Sequence, residues 1–174
     1  MDAVEHFRRS VLLMAFRKTV AALSIFLLPI GVFAQTKAYD SPNKKIRALI
    51  VAVGAKGYET LESRLDIRSS SGALLRRKCF CSRDHNHGEG IEHAEWTTGG
   101  RFFVFNTSSS GGHQPWHVST YVYDARTNKL RSLDSIVGPI TSDFDLRGST
   151  LVTTRMGMSH DEKLSTTIRL ARLP

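Results

Sequence analysis

Two short stretches hold most of the side chains in this sequence that could do ligand or metal chemistry. The first, CFCSRDHNHGEGIEH, gathers Cys79, Cys81, Asp84, His85, His87, Glu89 and His93. Thiolates and imidazoles suit zinc or copper, and Cys79, Cys81, His85 and His87 could supply four donors. Their C-x-C-x3-H-x-H layout matches no common metal motif. Cysteines two apart on a strand face the same side at about 6.6 Å, which is near the upper limit for a disulfide. The pair is therefore open to being free, oxidised within or between chains, or metal-bound. A bland reading also stands: a half-buried strand with two thiols, followed by a solvated histidine-rich loop.

The second stretch, SSSGGHQPWHVSTY, runs a flexible serine–glycine segment straight into His113, Gln114, Pro115, Trp116 and His117. Pro115 stiffens the exit of this loop, and flanking strands would anchor it at both ends, so its side chains can be presented precisely placed. In the binding reading Trp116 is an apolar anchor, with His113, Gln114 and His117 as polar contacts. In the structural reading Trp116 caps the core at a sheet edge, and the polar residues satisfy loop backbone groups. Catalytic signatures are missing: there is no G-x-S-x-G elbow, H-E-x-x-H, P-loop or dinucleotide fingerprint. Glu92, Glu95, Asp124 and Asp134 could pair for glycoside chemistry, but nothing in their spacing brings any two together.

The elements that must position these residues read as strands. IRALIVAV (46–53), SRLDIRS (63–69), ALLRRKCF (73–80), HAEWT (93–97), RFFVFN (101–106) and HVSTYVYD (117–124) are rich in β-branched and aromatic residues. KLRSL (129–133), SDFDL (142–146), TLVTTR (150–155) and LSTTIRLAR (164–172) continue the pattern. Between them lie Ser70-Ser71-Gly72, Thr98-Gly99-Gly100, Arg126-Thr127-Asn128 and Arg147-Gly148-Ser149, each with a Gly or Asn able to take positive φ. No helix-period apolar pattern follows residue 40. RFFVF is apolar on both faces, which predicts a central strand, whereas 117–124 reads as half-exposed.

A faint repeat is visible. AEWTTGGRFFVF (94–105) and DFDLRGSTLVTT (143–154) align Gly100 with Gly148, a spacing of 48 residues. DIRSSSGALL (66–75) and YDARTNKL (123–130) share a strand, a polar turn and a returning strand. Over residues 46–172 this layout resembles the blades of secreted β-propellers of the TolB and WD40-like type, whose W-[ST]-x-[DG]-G turn is matched by Trp96, Thr97, Gly99 and Gly100. The usual Pro and Asp of that turn are replaced by Thr98 and Gly99. The chain also resembles short secreted bacterial proteins of unassigned activity that carry a G-G-H-Q-x-W-H segment. Blades of about 40–50 residues normally come about four to eight to a ring. The strand-bearing region makes only about three, so the expected fold is all-β: two or three packed antiparallel sheets with propeller-blade-like hairpins, in one domain.

Residues 1–34 are expected to be a signal peptide. Arg17 and Lys18 precede the apolar run 19–34, which ends in a small-residue site at Val32 and Ala34. The true start is open to being Met14. A flexible mature N-terminus, 35–45, would lead into the all-β domain, 46–174. The leader takes four of the 24 basic and two of the 16 acidic residues, leaving 20 against 14 and a net charge of +6. That charge is scattered, which with export argues against nucleic acid.

The resulting expectation is an exported, periplasmic or extracellular, non-catalytic binding module of the bacterial envelope. Its ligand would be a protein, small molecule or glycan at His113, Gln114, Trp116 and His117. A monomer without cofactors is expected, touching the membrane only during export. A periplasmic zinc- or copper-binding protein using Cys79, Cys81, His85 and His87 is the alternative, and a hydrolase without recognisable motif the third. Intact-mass measurement of exported protein should give a chain beginning at Gln35; retention of residues 19–34 in a membrane-bound product would refute the cleavage.

Overall fold

The computed structural model describes residues 36–53, 62–110, 116–159 and 161–174. The expected leader, His113, Gln114 and Pro115 lie outside them. Eleven strands among the described residues form three antiparallel sheets, each a simple meander. The first contains β1 (Thr36–Asp40), β2 (Ile46–Ala52), β3 (Ser63–Ser69) and β4 (Leu74–Cys79). The second contains β5 (Glu89–Trp96), β6 (Phe102–Ser109), β7 (Ser119–Asp124) and β8 (Lys129–Ser132). The third contains β9 (Asp145–Arg147), β10 (Thr150–Met156) and β11 (Lys163–Arg169). A one-turn helix, α1 (Asp134–Val137), follows β8, and a 3-10 turn (Leu170–Arg172) follows β11. The all-β class, with blade-like hairpins, is what the strand pattern predicts.

Strand alternation explains the layering. Side chains along a strand point to opposite faces in turn. On β6, Phe103 and Phe105 enter a core shared with Ala48, Ile50, Leu65 and Ile67 of the first sheet. Phe102 and Val104 enter a second core shared with Leu151 and Ile168 of the third sheet. The second sheet is thus the middle layer, and β6 is its most buried strand.

Several local expectations change. Thr36–Asp40 falls within the segment expected to be flexible, yet it pairs with β2 from Thr36↔Val51 to Asp40↔Arg47. Its sequence is polar because it is an edge strand with only Tyr39 packed inward. β5 begins at Glu89, four residues earlier than expected, and β7 begins at Ser119. β7 is also not half-exposed: Thr120, Val122 and Tyr123 are at most 1% exposed, because the sheet is covered on both sides.

The turns repeat with close geometry. Ser41 N donates to Ile46 O at 2.9 Å and Thr97 N to Phe102 O at 2.9 Å. Lys44 N donates to Ser41 O, and Gly100 N to Thr97 O, both at 2.7 Å. Ile46 N meets Ser41 Oγ at 3.0 Å, and Phe102 N meets Thr97 Oγ1 at 3.1 Å. The first turns of the first and second sheets are therefore one motif used twice. The third sheet has a shorter turn at Gly148, where φ is 65° against 67° at Gly100.

Phe103 is fully buried, with ring neighbours Trp96 at 5.0 Å and Tyr39 at 5.7 Å. Phe103→Ala should cost about 3–5 kcal/mol. Replacing exposed Arg76 or Lys163 by Ala should cost well under about 1 kcal/mol. Urea midpoints that coincide for the three variants would mean that β6 is not the central strand.

Candidate functional site

The hairpin turns 41–45, 70–73, 97–101 and 125–128 gather at one end of the sheets, and Glu62, the 80–88 connection and Ser110 meet at the other. At this loop end the chain collects its reactive side chains, organised around two carboxylates.

Glu62, just before β3, is fully buried. Its carboxylate accepts hydrogen bonds from Ser82 Oγ (2.5 Å), Ser82 N (3.1 Å), Gly88 N (2.8 Å) and Ser110 Oγ (3.4 Å). The ring Nδ1 of His85 lies 3.3 Å away. Burial works against the Glu62 charge, but the Ser82, Gly88 and His85 contacts together outweigh it and hold the carboxyl below its usual range. Gly88 is required by close approach: a Cβ there would lie 2.4 Å from Phe80 O and 2.5 Å from Glu62 Cδ. The same loop holds Asp84, which accepts from Asn86 N, meets His87 Nδ1 at 2.6 Å and lies 2.9 Å from the Ser82 Oγ that it shares with Glu62. Those contacts, the Asn86 N–H foremost, bring the Asp84 carboxyl down to about 2.

Asp134, the first residue of α1, organises the other half. It accepts hydrogen bonds from Thr120 N and Ile140 N, both at 2.9 Å, and its Oδ1 lies 2.7 Å from His117 Nε2. Trp116 stacks on the His117 ring, with centroids 5.4 Å apart and planes 26° apart. Trp116 is nevertheless 49% exposed. About half of its surface is thus in solvent, beside a histidine held by a carboxylate.

Of the four residues expected to bind a ligand, the structure joins Trp116 and His117; His113 and Gln114 lie outside the described residues. The metal set is not assembled. Cys79 and Cys81 are joined as a disulfide with Cα atoms 5.2 Å apart, closer than along a continuous strand because β4 ends at Cys79. Neither sulfur is then a thiolate, and the His85 and His87 rings point to Glu62 and Asp84 instead. Among the described residues no three His, Cys, Asp or Glu side chains are grouped to hold a metal ion. Two of the carboxylates considered for catalysis are separated by the fold. Asp124 is bound by Arg101 (3.0 Å) at the turn end, and Asp134 by His117 at the loop end.

Sequence reasoning missed Glu62 altogether. Its donors lie 20 to 48 residues downstream, so no local spacing signals it.

No family model matches the chain, and no curated protein matches it. Among solved structures it is similar to a Clostridium novyi NT protein described as a conserved lipoprotein, with TM-score 0.48 and 15% identity, covering 79% of this chain and 88% of that one. It is also similar to the β-propeller domain of the Trilobed protease from Pyrococcus furiosus, with TM-score 0.45, 11% identity and coverage of 78% and 38%. TolB from Acinetobacter baumannii gives TM-score 0.40, 13% identity and coverage of 78% and 30%.

Glu62 has a folded value below its ordinary 4.5, so it stabilises the fold above that pH and loses this contribution as acid protonates it. Glu62→Gln should therefore cost about 1–3 kcal/mol at neutral pH, since it leaves buried donors unpaired. The gap between wild type and variant should narrow as the pH falls below the ordinary 4.5 and Glu62 takes up its proton. Denaturant unfolding across that range tests both statements, and a gap that widens in acid would contradict them.

Proposed function

We propose that this chain is an exported, non-catalytic binding module of the bacterial envelope. Its ligand seats at the loop end on Trp116 and His117, with His113 and Gln114 of the same loop as further polar contacts. The half-exposed Trp116, stacked on a histidine that Asp134 fixes, is the observation that carries this reading. Tryptophan brings a large rigid apolar surface to an interface and loses little entropy there. Its mount is fixed by three contacts to Asp134, so the surface is organised before anything binds. A partly exposed indole beside an imidazole suits a sugar ring, which offers C–H groups on one face and hydroxyls at its edge. A glycan is accordingly the ligand class proposed. Export rests on the leader at residues 1–34, which would deliver the module to where such polymers lie.

Purified peptidoglycan sacculi serve as the probe in a co-sedimentation assay, with melting temperatures recorded in parallel. Trp116→Ala should release the protein from the pellet while its melting temperature stays within about 2 °C, as expected for an exposed side chain. His117→Ala should lower both, because it removes a partner of partly buried Asp134. Unchanged sedimentation of Trp116→Ala, or a large drop in its melting temperature, would overturn the proposal.

A further inference from the structure

The outward face of the first sheet is positively charged at its turn end. Paired residues of adjacent antiparallel strands share a face, and the pairs Asp40↔Arg47 and Asp66↔Arg77 place these side chains on the side away from the core. Alternation adds Arg64 and Arg68 of β3 to the same side. Arg77 grips Asp66 through two hydrogen bonds of 2.6 and 2.7 Å, and Arg64 and Arg68 lie 3.3 and 3.8 Å from the same carboxylate. Arg47 likewise grips Asp40, at 2.5 and 2.9 Å. Two carboxylates thus face four arginines.

Where this face meets the turns there is a cavity of about 300 Å³. Lys44, Arg47 and Arg68 supply its cations, Asp40 its carboxylate, Leu49 apolar wall and Ser70 a hydroxyl. Asp40 is occupied by Arg47, and Arg68 shares Asp66 with Arg64 and Arg77, so Lys44 is the lining cation with no ion pair among the described residues. Ser70 N donates to Lys45 O at 2.8 Å, tying the two turns together, and Arg68 Nη1 donates to Gly72 O at 2.9 Å. The walls are therefore held in place before any ligand arrives.

Lys44 supplies a second, independent observation. Its φ is 54°, in the left-handed region that favours glycine. The same position in the second sheet's turn is Gly100, closed by the same hydrogen bonds. The first sheet thus carries a long cationic side chain at the position where its sister turn carries none, despite the backbone preference. Such an outlier points to a role for the side chain.

We propose that this cavity is an oxyanion-binding site, taking the carboxylate or phosphate of a small molecule between Lys44 and Arg68, with a short apolar body against Leu49. It is separate from the Trp116 surface, lying at the opposite end of the sheets. A phosphate or carboxylate suits the site because each matches a guanidinium in charge and geometry, and the lysine adds a mobile point charge.

The test exploits the turn itself. Lys44→Gly removes the cation and leaves a residue that the sister turn already uses, so this variant should fold at least as well as wild type. Amide chemical shifts would be followed by NMR during titration with inorganic phosphate, glycerol 1-phosphate or butyrate at constant ionic strength, with chloride as control. Saturable shifts at Lys44, Ser70 and Gly72 are expected in the wild type, and affinity should fall at least tenfold in Lys44→Gly. Lys44→Arg should keep most of the affinity. A response to both phosphates alone, or to butyrate alone, names the head group and supports the site. Equal affinity in wild type and Lys44→Gly, shifts located elsewhere, the same response to chloride, or no response to any probe would overturn it.

Discussion

Four consecutive apolar side chains, Phe102 to Phe105, set the constraint on which the whole arrangement depends. On a strand they project alternately to two faces, so neither face of β6 can be left to water. One packed layer would bury only half of them. The first sheet covers Phe103 and Phe105 and the third covers Phe102 and Val104, so the two cores are separate clusters divided by the middle sheet. The flanking sheets need one apolar face each. Their other faces are mixed: Arg47, Arg64 and Arg77 share the outer side of the first with Leu49 and Val51, and Thr154, Ser165, Thr167 and Arg169 share that of the third with Val152.

Layering also buries polar groups, and the way each is satisfied fixes the two ends. Asp124 sits almost fully inside and is met by Arg101 and by Arg126 N. At the turn end, the Trp96 indole N–H crosses to Tyr39 O of the first sheet at 2.9 Å. At the loop end, Glu62 before β3 reaches Ser110 after β6 and Gly88 before β5. A buried carboxylate with this many donors is costly to disturb, because each donor would be stranded without water. The interface between the first two sheets is thus clamped by polar contacts at both ends and packed with aromatics between.

The strands and most turns were legible because their signals are local. Alternation and β-branched content mark the strands, and Gly72, Gly100, Asn128 and Gly148 all take the positive φ that their residue types allow. What escaped depends on partners distant in sequence. β1 reads as a polar tail, since an edge strand over a core needs only one inward residue, Tyr39. The double burial of β7 follows from the third sheet, which its own sequence cannot announce. The repeat read from Gly100 and Gly148 has a further copy at Ser41 to Ile46, concealed because Lys44 stands at the glycine position. Trp116 and His117 were legible as a cluster, but the Asp134 contact that orients them was not, as it comes from a helical turn of only four residues.

The two tryptophans sit in different surroundings. Trp96 is 7% exposed, contacts Phe103 and Tyr123, and has its N–H satisfied across the sheet interface. Every part of that side chain has a structural use. Trp116 belongs to neither core cluster and keeps about half of its surface in water. A large aromatic left partly exposed forgoes hydrophobic stabilisation that a polar residue would not have sacrificed. Its neighbour His117 is nonetheless oriented by Asp134, and Asp134 by two backbone N–H groups. That difference in surroundings is the ground on which the loop end is proposed as a binding surface.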